Sequence, residues 1–284
     1  MVERKFQRGD WLVFLLIIVV VSASLGSYWW FFVRVEGGGQ RTVKTGDKLN
    51  VDYVGWLENG EVFDTSIWEV ASDNLSNPKT VSFNLRPKDQ YKPFELTVGQ
   101  GVIAGWSEGV VGMTLGEVRR LVIAPDKAYG HADKAKIEVR QLVESQPYVV
   151  ELNDTEFEKN YSTAPAVGVL ATDKKYGWPV RVLSVDGGLV TAVVVAEKDE
   201  LFQTQWPWKI KIISVDSNAN AGRGEVKFRH LLTANDANRI TGVEGPAKFF
   251  ITGVDEAAGT YDLDKNEFLA GKTLVFRIKL LKFT

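Results

Sequence analysis

One stretch limits what this chain can fold into: Gly99–Gly130, GQGVIAGWSEGVVGMTLGEVRRLVIAPDKAYG. Trp106, Val110 and Met113 recur at i, i+4 and i+7, which places them on one face of a short helix. Gly105, Gly109, Gly112 and Gly116 are dense for such a helix. Each glycine in a helix interior costs up to about 1 kcal/mol against alanine. They are tolerable where the helix lies close on a sheet or where its ends turn. Val118–Ile123 reads as the strand that follows, with Leu121 and Ile123 on one face. Ala124, Pro125 and Asp126 end it, and Ala128, Tyr129 and Gly130 turn the chain.

The pattern VI-x-GW-x-x-G-x-x-GM-x-x-GE, then a strand and P-x-x-AYG, resembles the core of the FKBP family, the macrolide-binding peptidyl-prolyl isomerases. Two other strings agree with it. VDYVGWLENGEVFDTS (51–66) and KPFELTVG (92–99) precede the first stretch in the family's order. Near the C-terminus, DKNEFLAG (264–271) followed by KTLVFRIKLLKF resembles the closing strand of long FKBPs, with Glu267 where the family carries a histidine.

Residues 1–10 are polar and slightly basic, and 11–33, WLVFLLIIVVVSASLGSYWWFFV, carry no charge. As a helix this spans roughly 35 Å, enough for a bilayer core of about 30 Å. Trp11 and Tyr28–Trp30 suit the two interfacial belts. A cleaved signal peptide is the rival, since Ser22-Ala23-Ser24 offers small residues, but cleavage would leave YWWFFV exposed. The expectation is a single-pass cell-membrane anchor, cytoplasmic N-terminus, with the soluble part on the extracellular side. Residues 34–42, containing EGGGQ, read as a linker.

Lys48–Trp56 alternates as a half-buried strand, and Glu58–Glu61 is a hairpin turn. Ile67–Tyr91 is longer than in a minimal FKBP and reads as an extended loop with a strand at Thr80–Leu85. The first and last parts, 43–130 plus 264–284, form one FKBP-like isomerase domain. Residues 131–263 form an inserted, β-rich, chaperone-like domain, as the long archaeal and SlyD-like isomerases carry at this point. Inside it, Trp178-Pro179 leads to Val185-Asp186, Trp206-Pro207 to Val215-Asp216 and Gly245-Pro246 to Val254-Asp255, which reads as successive hairpins. Duplication and the general likeness of hairpins both account for this. Trp178, Phe202, Trp206 and Trp208 either fill hairpin cores or line an apolar groove for unfolded chains. The fold class is therefore α+β: an antiparallel sheet wrapped on a short helix, a mostly-β insertion and an N-terminal transmembrane helix.

Composition narrows the chemistry. A formal net charge of −2 over 284 residues gives no electrostatic case for nucleic acid. The chain has no cysteine and only His131 and His230, so thiolate chemistry is absent and no metal site is expected. No triad or phosphate loop is visible, and no cofactor is implied. Proline isomerisation needs none of these, because it breaks no covalent bond.

The resemblance assigns the site. It implies Trp106 as the floor of a prolyl pocket, Tyr53, Phe63, Phe94 and Phe276 as its walls, and Val102 and Ile103 at its rim. The Ile103 backbone N–H would hold a substrate carbonyl, the Tyr129 hydroxyl would donate a second hydrogen bond, and Asp64 would sit against the twisting carbonyl. The implied activity is peptidyl-prolyl cis-trans isomerisation in unfolded or nascent proline-containing polypeptides, with chaperone activity from the insertion. A membrane-tethered holdase on the same scaffold, with little catalysis, is the alternative.

Overall fold

The computed structural model describes residues 41–284. The expected transmembrane helix at 11–33, and most of the linker, lie outside them. Among the described residues no helix is long and apolar enough to cross a membrane. The contacts divide the chain into two units. The first holds the residues up to Asn77, Leu85–Ala128 and Thr273–Thr284; the second holds Pro78–Asn84 and Tyr129–Lys272. Tyr129, Gly130 and residues 264–272 thus group with the second unit, where the sequence pattern groups them with the first.

The first unit is one antiparallel sheet. Strand β1 (Lys48–Leu57) pairs along its length with β17 (Leu274–Phe283), and β17 pairs on its far side with β4 (Val118–Ile123). The other edge of β1 is shared by β3 (Phe94–Thr97) and β2 (Val62–Thr65). The alternation in the sequence sets the buried face: Leu49, Val51, Tyr53 on β1 and Leu274, Phe276, Ile278, Leu280 on β17 are buried. Helix α2 (Ala104–Val110) follows a short helix, α1 (Trp68–Ser72). A Cβ on Gly105 would stand 2.3 Å from Ile123 Cγ2, and one on Gly109 would stand 2.4 Å from Leu121 Cδ1. Those two glycines are what let α2 lie against β4. Gly112 (φ +79°) and Gly116 (φ +82°) turn the chain between the helix and that strand.

The expected strand at Thr80–Leu85 does not form. Pro78 and Pro87 bracket this segment, it turns at Thr80–Phe83 through a backbone hydrogen bond of 3.0 Å, and Leu85 is exposed. The expected loop instead contains α1, whose Val70 and Ala71 are buried, and a 3₁₀ turn at Lys88–Gln90.

The second unit is almost entirely β. Three strands in a row, β5 (Ile137–Gln141), β6 (Val143–Pro147) and β7 (Val149–Asn153), precede helix α3 (Asp154–Tyr161), which Asn153 caps by accepting from Glu156 N at 2.8 Å. Then come β8 (Leu170–Thr172), β9 (Pro179–Asp186), β10 (Leu189–Val194), β11 (Leu201–Gln203), β12 (Lys209–Asp216), β13 (Glu225–His230), β14 (Thr241–Glu244), β15 (Ala247–Asp255) and β16 (Thr260–Asp264). They form three four-stranded sheets, ordered β7-β10-β9-β8, β11-β12-β13-β6 and β14-β15-β16-β5. Each has a long hairpin at its centre, one short edge strand, and one strand of the β5–β7 run. Each hairpin bulges three residues before an aspartate: at Leu183 before Asp186, Ile213 before Asp216 and Thr252 before Asp255. The weak sequence repeat therefore corresponds to one supersecondary unit used three times.

All three sheets share one core, and the tryptophans belong to it. Trp178, Trp206 and Trp208 are buried among Phe228, Phe249, Tyr261 and Leu142, and Phe202 packs partly against them. Of the two readings of these residues, this is the hairpin core rather than the open groove: hairpins with large inward side chains bury them when the sheets close on one another. The Trp208 indole donates to Nδ1 of the fully buried His230 at 2.9 Å, so the His230 proton sits on Nε2, 3.3 Å from Glu144.

A ring of charges ties β5 to its sheet. Arg140 donates to both oxygens of Glu244 (2.9 and 2.7 Å) and also to Glu138, and Lys265 bridges Glu138 and Glu244. Hydrogen bonding from Arg140 holds the Glu244 carboxyl down at about 2, against 4.5 for a free glutamate. A depressed folded-state value gives stability that is complete above about 4.5 and is lost as pH falls towards about 2. Glu244→Gln is expected to cost on the order of 1–2 kcal/mol at neutral pH, after allowance for its partial exposure. It should also flatten the fall in thermal stability between pH 5 and pH 2, as read by calorimetry of both proteins.

Candidate active site

The site grows from the inner face of the first unit. Trp106 projects from α2 into four rings carried by strands. Its centroid lies 5.1 Å from Tyr53, 5.7 Å from Phe94 and 5.1 Å from Phe276, all edge-to-face. Phe63 meets Phe276 at 5.3 Å, and Tyr53 meets Phe94 at 5.9 Å. Such pairs contribute about 0.5–1.5 kcal/mol each beyond area burial. Tyr53, Phe63, Trp106 and Phe276 are buried, whereas Phe94 keeps 38% of its surface exposed. The Trp106 indole N–H is buried with no hydrogen-bond partner among the described residues. Such an orphan donor costs about 1–3 kcal/mol, which an incoming acceptor would recover.

A bulge brings two neighbours to one place. Trp56 pairs with Val62 and Gly55 with Asp64, so Phe63 is the extra residue on β2. In a regular strand Phe63 and Asp64 would point to opposite faces. Here Phe63 joins the rings while Asp64 Oδ2 accepts from the Tyr53 hydroxyl at 2.5 Å. Burial, with the Asp64 charge adding to it, pushes the Tyr53 phenol far above its usual range, so it stays a donor.

Arg86 completes the polar side. Its Nη2 donates to Asp64 Oδ1 (3.1 Å) and to the Thr65 carbonyl (2.6 Å), and Asp64 Oδ1 also accepts from Thr65 N (2.8 Å). Burial opposes the Arg86 charge, but Asp64 outweighs it and the guanidinium is held more firmly protonated. Sequence reasoning missed Arg86, because it stands in the extended segment read as a loop and no local pattern marks it.

Of the expected site residues, Tyr53, Phe63, Asp64, Phe94, Trp106 and Phe276 are brought together. Val102 and Ile103 are half-buried just before α2, and Ile103 is its N-cap, with φ −57° and ψ 147°. The Ile103 carbonyl accepts from Trp106 and Ser107, and its N–H has no acceptor among the described residues. Tyr129 falls in the second unit, 52% exposed.

Gly55 makes the ring cluster possible. It pairs with both Asp64 and Phe276, and a Cβ there would stand 2.6 Å from Phe63 Cζ and 2.8 Å from Phe276 Cε1. Gly55→Ala is expected to destabilise by about 1–3 kcal/mol. It should also raise the near-ultraviolet signal change of Trp106 at low denaturant, since the rings must separate; an unchanged spectrum and midpoint would contradict this packing.

The comparisons with known proteins agree with the geometry. The family model for "FKBP-type peptidyl-prolyl cis-trans isomerase" matches residues 39–153, running on through β5–β7. The chain is 40% identical over 100 residues to FK506-binding protein 1A of Neurospora crassa, covering 35% of this chain and 66% of that protein. It is 34% identical over 151 residues to the short-type peptidyl-prolyl cis-trans isomerase of Methanocaldococcus jannaschii, covering 52% and 80%. It is 38% identical over 96 residues to peptidyl-prolyl cis-trans isomerase FKBP1A of Xenopus laevis, covering 34% and 69%. With its ring cluster assembled in the first unit and most of a short-type relative matched, this chain belongs to the FKBP-type peptidyl-prolyl cis-trans isomerase family.

Proposed function

We propose that the ring cluster of the first unit accelerates rotation about X–Pro bonds in unfolded or nascent polypeptides. The observation that carries this is Trp106 ringed by Tyr53, Phe94 and Phe276, with the polar Tyr53–Asp64–Arg86 chain on one side. The barrier to rotation is amide resonance, about 18–20 kcal/mol, which leaves the spontaneous step at tens to hundreds of seconds. Resonance places negative charge on the carbonyl oxygen, and water stabilises it. A proline seated over Trp106, between Tyr53, Phe63, Phe94 and Phe276, leaves that water behind, and the planar amide loses more than the twisted one. In this reading Val102 and Ile103 edge the seat and the Ile103 N–H holds the client carbonyl. Asp64, fixed by Tyr53 and Arg86, faces the carbonyl as it turns. Each ~1.4 kcal/mol of preference for the twisted amide gives tenfold in rate.

The setting is part of the proposal. The uncharged stretch at 11–33 supports a single-pass anchor in the cell membrane, with the soluble part outside, acting on secreted or membrane clients. A SlyD-like role for the second unit, holding unfolded chains, draws support from exposed aliphatics at sheet edges, Leu170 on β8, Leu201 on β11 and Val243 on β14, rather than from its buried tryptophans. Those residues also favour a second reading, a tethered holdase with little catalysis.

An X–Pro peptide assay on the full chain separates the two. Acceleration that falls at least about tenfold in Asp64→Ala and in Trp106→Leu is expected. Suppressed aggregation without acceleration would leave only the holdase. Protease added to intact cells should remove the soluble part; full protection would overturn the outward orientation.

A further inference from the structure

The chain leaves the ring cluster after Asp64 and re-enters it at Phe94, and the segment between carries a second aromatic pair. Trp68, the first residue of α1, meets Tyr91 edge-on, with centroids 5.4 Å apart. Arg86 ties this pair to the site. Its guanidinium lies 4.8 Å over the Tyr91 ring while Nη2 holds Asp64, and its backbone N–H donates to the Tyr91 hydroxyl at 3.1 Å. The Lys88 ammonium stands 5.9 Å from the Trp68 ring.

These rings are not core. The buried residues of α1 are Val70 and Ala71, while Trp68 and Tyr91 are only half-buried and Phe94 is exposed. Three partly exposed aromatics, continuous through Arg86 with the prolyl site, form the kind of surface that folded proteins keep for binding. The glutamate next to Phe94 does not intrude, because Glu95 pairs with Asn50 on the opposite face of the strand.

We infer that Trp68 and Tyr91 form a flanking subsite that takes an apolar or aromatic side chain of the client close to the prolyl bond. This rests on the isomerase reading above. The chemistry fits a client that is unfolded, since a folded one hides such side chains. Arg86 then has two tasks: it fixes Asp64 at the reacting bond, and it holds Tyr91 where the neighbouring client residue arrives. Trp68 and Tyr91 set specificity without touching the amide that turns.

The test compares X–Pro peptides that differ only at the second and third residues before the proline, or the second after it, with phenylalanine replacing glycine at one position at a time. With the full chain, kcat/KM is expected to rise about three- to tenfold at one or more of these positions, in line with aromatic contacts. Trp68→Ala should bring that ratio close to one while the all-glycine peptide turns over as before. Trp68→Phe should keep the ratio. Flat ratios in the unaltered protein overturn the inference even where every peptide is accelerated, and need no variant that folds. Failure to accelerate any peptide would instead remove the isomerase reading, and the subsite with it.

Discussion

The contact of α2 with β4 is the constraint from which the site follows. Two glycines on one side of the helix meet Ile123 and Leu121 at distances no side chain could share. Only then does Trp106, one residue after Gly105, reach the centre of the strand-borne rings. A helix of seven residues has little stability of its own. Its position is set by this packing and by the backbone pairing of Val43 with Gly112 and Met113 at its end. The glycines that weaken the helix as a helix are the ones that fix it as a platform.

Around that platform the sheet contributes geometry rather than reactivity. Gly55 leaves room for Phe63 and Phe276 to meet, and the bulge at Phe63 turns Asp64 to the same place. The result is an aromatic cluster with one polar edge, Tyr53–Asp64–Arg86. That combination suits a reaction whose barrier is electronic delocalisation in the substrate. In the proposed reaction, apolar walls would withdraw solvent from the amide, and a fixed dipolar edge would respond as its charge changes. Nothing in the cluster needs to gain or lose a proton.

Much of this was legible in the sequence, for physical reasons. Period-two alternation placed β1 and β17, and spacing of Trp106, Val110 and Met113 placed their shared buried side, although the helix ends at Val110. Sequence patterns report local periodicity, and these elements are locally periodic. Arg86 escaped because its partner, Asp64, is distant in the chain and the loop between them has no period. The Phe63 bulge escaped because an extra residue leaves no trace in composition. Trp206 and Trp208 illustrate a different limit: large rings near a proline read equally as core or as groove until three sheets close over them. Which hydrophobic stretch becomes core is a tertiary decision, and it was taken by the β5–β7 run that supplies one strand to each sheet.

The second unit repeats one hairpin device three times, whereas the first uses every strand differently. The irregular unit holds the ring cluster, and the regular one offers extended edges. The central claim is that the prolyl ring itself sits on Trp106 while its bond turns. Exchange-resolved NMR of the full chain with an X–Pro peptide tests it directly. The account predicts nuclear Overhauser contacts between the prolyl ring protons and the Trp106 indole under conditions where cis–trans exchange is accelerated. Accelerated exchange with prolyl contacts confined to residues of the second unit would contradict it.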